Sequence, residues 1–220
     1  MRTSAKLISA VATVALIAGV SVAAMPAQAT TRSTVDGATS LTILPSVHTD
    51  FGVAGVQLQA LEPAVSDNDL GTQRLTFPVA RRVKEGVLLH RGIMTIAAAL
   101  NRIDLSAPRL EFAPAPGTTT GRIVFQDLYS AVGGGRKVIF TVSNMSVTTT
   151  RGRVTQSGQA WKRTDHQHIT GDVSLVNNPA FVKALNDFVG TTALTPGMAF
   201  GTLDTSVTTT VTCTTRRECR

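Results

Sequence analysis

From residue 40 onward, apolar and polar side chains alternate in short runs. "SLTIL" (40–44), "GVQLQAL" (55–61), "RLTFPV" (74–79) and "KVIFTV" (137–142) are rich in branched residues. Val56, Leu58 and Ala60 fall on one face of their run, as do Leu75, Phe77 and Val79, or Val138, Phe140 and Val142. A period of two predicts strands with one buried face, because successive strand side chains point to opposite sides. Near the end, "DTSVTTTVTC" sets Val207, Val211 and Cys213 against Thr208, Thr210 and Thr212, a strand with one wet face. Turn-forming clusters separate the runs, most clearly "APAPGTTTG" (113–121) and "VGGGRK" (132–137).

Only two segments carry a helical period. Residues 45–54, "PSVHTDFGVA", place Val47, Phe51 and Ala54 on one side. Residues 179–189, "PAFVKALNDFV", do the same with Phe181, Leu185, Phe188 and Val189. The second has Asn178 as N-cap, Pro179 in the first turn and Gly190 past its end. Both helices sit between a strand and a later strand, a weak internal pseudo-repeat. Such helices can close an open end of a sheet structure. The expected fold is therefore mainly β: an antiparallel sandwich or barrel with two short helices.

The N-terminus does not belong to that pattern. Arg2 and Lys6 precede an apolar run from Leu7 to Ala24, then Pro26 and Ala27-Gln28-Ala29. These are the three parts of a secretory signal peptide with A-x-A cleavage. The expected organisation is a signal at 1–29, a flexible lead-in at 30–38, a β-domain at 39–212 and a disulfide-closed tail at 213–220. No later stretch reaches the ~20 apolar residues of a membrane span. The mature chain is expected to be secreted or associated with the cell envelope.

Losing Arg2 and Lys6 leaves 19 basic against 14 acidic residues. This modest excess suits an anionic envelope polymer, or a surface protein, as partner. Nucleic acid is disfavoured, since stacking needs aromatics and the chain has one Trp and one Tyr. Basic residues cluster at Arg81-Arg82-Lys84, Arg151-Gly152-Arg153 and Arg216-Arg217-Arg220, and Trp161 stands beside Lys162 and Arg163. Sequence alone does not say whether these meet. The two cysteines, Cys213 and Cys219, are most simply one disulfide in an oxidising compartment. Its short loop limits the entropic stabilisation to about 2 kcal/mol, so it pins the tail rather than the fold.

One stretch raises a question of chemistry. In "GVLLHRGIMTI" (86–96), alternation puts His90 on the same face as Leu88. His90 is either a hydrogen-bonded histidine at a strand end or a ligand to haem or a metal. "GVLLHRGIMTIAAALNRIDLSAPRLEF…GRIVF" resembles the G-x-x-x-H-x-G strand pair and downstream aliphatic strand of the haem transport-associated domain family of actinobacterial secreted and surface proteins. In that family a tyrosine well upstream of the histidine ligates haem iron, and the histidine supports it. Here residues 35–91 hold no tyrosine, and the only one, Tyr129, lies downstream. The resemblance implies the β-scaffold, and any haem reading depends on Tyr129. "LTILPSVHTDF…AGVQLQAL…LTFPV" and "PGMAFGT" are also similar to uncharacterised actinobacterial secreted proteins.

His166 and His168 in "TDHQH" would point the same way from a strand, as two ligands to one metal do, with Asp165 or His48 as a third. A polar loop with nothing bound is the alternative. There is no G-x-S-x-G elbow, H-E-x-x-H helix or phosphate-cradling loop, and the acidic residues are scattered. The expected function is a non-enzymatic binding or structural module without a cofactor. The alternative is carriage of haem or a hydrophobic ligand.

Overall fold

The computed structural model describes residues 31–69, 71–98, 101–113, 119–128 and 133–220. The signal segment expected at 1–29 lies outside them. Eight antiparallel strands close into a barrel in the cyclic order β1 (Arg32–Ile43), β4 (Thr72–Lys84), β5 (Val87–His90), β7 (Asn101–Phe112), β8 (Gly121–Asp127), β9 (Gly135–Thr150), β11 (Ala160–Leu175) and β12 (Ala199–Cys213). Pairing of β7 with β8 closes the ring. Of the two architectures expected, the barrel is the one adopted. Closure removes the free edges that a sheet of this length would otherwise expose. Four shorter strands decorate it. β2 (Val56–Leu61) and β6 (Ile93–Ala98) extend from β7, β3 (Val65–Asp69) lies on β4, and β10 (Thr155–Ser157) lies on β11.

The alternation seen in the sequence is the inside and outside of this barrel. Leu41, Leu75, Phe77, Leu203 and Val207 are buried, and their neighbours in the chain are more exposed. In β9 a bulge interrupts the alternation, so that Ile139 and Phe140 are both buried. Val138, expected on the face of Phe140, lines an outer recess instead. Four phenylalanines run in contact through the core, the first two pairs edge to face and the third tilted at 46°. Phe77 meets Phe125 at 6.4 Å, Phe125 meets Phe140 at 6.2 Å, and Phe140 meets Phe200 at 4.6 Å between centroids. Such pairs add to the area they bury.

Both helices follow strands that finish at the same end of the barrel. α1 (Pro45–Val53) succeeds β1 and seats Phe51 against Phe200, 6.0 Å between centroids. α2 (Pro179–Val189) succeeds β11. Its start and stop signals work as expected. The Asn178 side chain accepts from the Phe181 N–H at 3.1 Å, and Gly190 takes the left-handed cap conformation at φ 80°. The buried face is Val182, Leu185 and Val189. Leu185 and Val189 are buried as expected, and Phe181 and Phe188 are half-buried and packed against the core.

The lead-in expected at 30–38 is corrected. From Arg32 those residues form the first half of β1, paired residue for residue with β12 from Arg32–Thr212 to Ala38–Ser206. "TTRSTVDGA" lacks apolar alternation, so composition suggested disorder. Its order comes from backbone pairing with a strand some 170 positions away. The first halves of β1 and β11 and the last halves of β9 and β12 run on as a polar extension beyond the apolar core.

Candidate functional site

His90 is enclosed by its surroundings. It ends β5, points into the barrel and is 4 % exposed. Its Nδ1 lies 3.1 Å from the carbonyl oxygen of Pro108, and its Nε2 lies 2.7 Å from Thr39 Oγ1. A carbonyl only accepts, so Nδ1 carries the proton and Nε2 accepts from the Thr39 hydroxyl. Thr39 in turn accepts from Thr205 Oγ1 at 2.8 Å. The chain of donation runs Thr205 to Thr39 to His90 to Pro108. A bulge in β7 between Ser106 and Arg109, with Ala107 at φ 47°, brings the Pro108 carbonyl to the ring. Burial lowers the imidazole pKa to about 4, against a smaller opposing effect of the Pro108 carbonyl. The ring is therefore neutral at neutral pH, with both nitrogens engaged.

The void beside it, walled by Leu41, Phe77, Leu110 and Phe125, has about 10 Å³, space for one water at most. A haem does not fit there. The side chain held by His90 from upstream is Thr39, whose aliphatic hydroxyl stays protonated at neutral pH and is a poor iron ligand. Tyr129 lies outside the described residues.

His166 and His168 share the outer face of β11, as their spacing predicts, but the structure gives them different partners. His166 Nδ1 is 3.1 Å from Thr208 Oγ1, and His168 Nε2 is 3.1 Å from Asp204 Oδ1. Neither expected third ligand joins them. Asp165 faces the other side of the strand, where Arg163 Nε donates to its Oδ1 at 3.0 Å. His48 belongs to α1, beyond the far end of β1. Among the described residues no group of three or more His, Cys, Asp or Glu side chains is placed to hold a metal.

Each basic cluster makes contact with the first half of β11, residues 161–167. Arg82 Nη2 donates to Gln167 Oε1 at 2.9 Å, on the inner side of the strands, while Arg81 and Lys84 point outward. Gly152 N–H donates to Asp165 Oδ1 at 3.2 Å, which sets Arg151 and Arg153 on either side of that contact. The tail folds back, with the Arg216 guanidinium 5.7 Å from the Trp161 ring centroid. Cys213 and Cys219 are bonded at 2.12 Å, as expected, and the Cys219 sulfur lies 3.4 Å from the Trp161 carbonyl oxygen. Arg163 fixes this tail by donating to the Cys219 carbonyl and, at 2.9 Å, to that of Arg220.

The side chains of Arg81, Lys84, Arg151, Arg153, Lys162, Arg216, Arg217 and Arg220 are exposed. Of the nearby acids, Asp165 is engaged by Arg163, and Glu218 is turned to the Thr214 hydroxyl at 2.7 Å. Trp161 is half-buried beneath Arg216, so it anchors the patch rather than offering an open ring.

The fold and the site define a closed antiparallel barrel with an apolar core and a polar extension that carries basic residues. One solved structure similar to it is the haem-binding protein HtaB from Corynebacterium glutamicum, with a TM-score of 0.53 at 11 % identity, over 84 % of this chain and 98 % of that one. At that identity the likeness is one of fold, and it agrees with the scaffold that the haem transport-associated resemblance implied. A scan of protein-family models finds no match, and neither does a search of the curated proteins. Among the described residues no helix is long and apolar enough to cross a membrane.

Proposed function

We propose that this chain is an exported, non-enzymatic binding module that holds an anionic polymer of the cell envelope on the basic extension of its barrel. One observation carries the reading: three basic stretches some 60 to 70 residues apart in sequence each make a contact with residues 161–167 of a single strand. A surface of this kind recognises closely spaced phosphates or carboxylates, and exchange of condensed counterions makes such binding salt-dependent. Retention on a heparin matrix, used as a model polyanion, is expected at low salt. Arg151→Glu with Arg153→Glu should elute at clearly lower salt, with an unchanged circular dichroism spectrum. Equal elution of the double variant and the parent would remove the proposal.

A second reading, haem carriage, is favoured by the likeness to a haem-binding protein. Because both nitrogens of His90 are engaged, hemin is expected to give no Soret band that depends on this residue. The opposite result, a band lost in a folded His90→Gln or Tyr129→Phe variant, would establish haem binding in place of the present assignment.

A further inference from the structure

A second recess lies on the outside of the barrel, across β5, β7, β8 and β9, with a volume of about 830 Å³. The strand register builds it. Val87 stands opposite Glu111, Glu111 opposite Arg122, and Arg122 opposite Thr141, forming one cross-strand row. Leu88 and His90 point inward, so Val87 points outward, yet it is only 7 % exposed. With Val138, Val176 and Phe112 it gives the recess an apolar floor.

The rim is charged. Lys84, Arg109 and Arg122 face Glu85 and Glu111. Glu111 is shared by two guanidinium groups: it pairs with Arg109 and accepts from Arg122 Nε at 2.6 Å. That sharing leaves the cations in excess. The Arg109 Nε is buried and has no partner among the described residues. The side chain of Arg122 is 58 % exposed, and Lys84 is exposed, so both can turn to an incoming anion.

We infer that this recess binds an amphipathic carboxylate, a molecule with an extended apolar body and a single anionic head. The valine floor takes the body, and Arg122 and Lys84 take the head. The volume lies in the usual range for small-molecule sites, roughly 300–1,000 Å³. No side chain lining it is a histidine, cysteine, methionine or tyrosine, so nothing there singles out a metal-bearing ligand.

Calorimetric titration with laurate, below its micellar concentration, and with 1-dodecanol tests the idea. Laurate is expected to bind once per chain, at least tenfold tighter than the alcohol. Lys84→Ala with Arg122→Ala should bring laurate down to the alcohol's affinity. Val138→Trp, which fills the recess from a half-buried position, should abolish binding of both. Absence of laurate binding, equal affinity for laurate and dodecanol, or an unchanged laurate affinity in the Lys84/Arg122 variant would each overturn the inference. The Arg151/Arg153 variant should bind laurate normally, so failure of the polymer reading and failure of this one are told apart.

Discussion

Acidification from pH 7.5 to 4 is expected to cost the fold about 3 kcal/mol through His90 alone. The folded imidazole titrates at about 4, against 6.5 for the free side chain. Between those values the unfolded chain takes up a proton that the native chain refuses. Stability is therefore full above pH 6.5, falls as the pH drops below it, and has lost this contribution once the pH passes the folded value. The cause is geometric. Protonated Nε2 would become a donor facing Thr39, whose hydroxyl already donates to it, and the charge would sit among Leu41, Phe77 and Phe125. His90→Gln keeps one donor for Pro108 and one acceptor for Thr39 but does not titrate. Denaturant unfolding of both proteins across this pH range isolates the effect, because other titrating groups are common to both. The parent should lose about 3 kcal/mol more than the variant. Parallel stability curves would show that the ring is not buried as described.

Gly201→Ala is expected to destabilise the barrel by about 3 kcal/mol, at the upper end of overpacking costs. Gly201 pairs with Ile43, where the first and last strands join. A Cβ placed there would lie 2.1 Å from the carbonyl oxygen of Thr42 and 3.0 Å from its carbonyl carbon. These are backbone atoms held in a ladder, so they cannot move aside as a flexible side-chain tip does. Gly52 is the control. It lies in α1, and a Cβ there meets nothing within 4 Å. Gly52→Ala should be neutral or stabilising by up to ~1 kcal/mol, through the smaller entropy of the unfolded chain. Thermal unfolding of the two variants beside the parent checks the contrast. A Gly201→Ala protein as stable as the parent would mean that the β1–β12 seam is looser than described.

Much of the architecture was legible because it depends on local rules. Alternation at Leu75, Phe77 and Val79, or at Val207, Val211 and Cys213, needs only the two-residue period of a strand. Asn178, Pro179 and Gly190 mark α2 because capping involves adjacent backbone groups. The Leu88–His90 alternation correctly turned the histidine inward. What it could not supply was the histidine's partners, since Thr39 and Pro108 arrive from β1 and β7. For the same reason β1 began unseen: residues 32–38 gain order only from β12. The outward but buried Val87 was equally hidden, because its shelter is built by residues of β7, β8 and β9.

The sequence by itself determined a strand-built body, two short helices at their positions, one with its capping residues, a cysteine pair able to close the tail, and a modest excess of positive charge. Each follows from composition or from neighbours a few residues away. Only the tertiary structure decided that the sheet closes on itself, that His90 is a neutral link in a chain of hydroxyls, and that basic stretches distant in sequence touch the same part of β11. Those outcomes depend on which strands pair and in what register, and pairing joins backbone groups whose distance along the chain leaves no local mark.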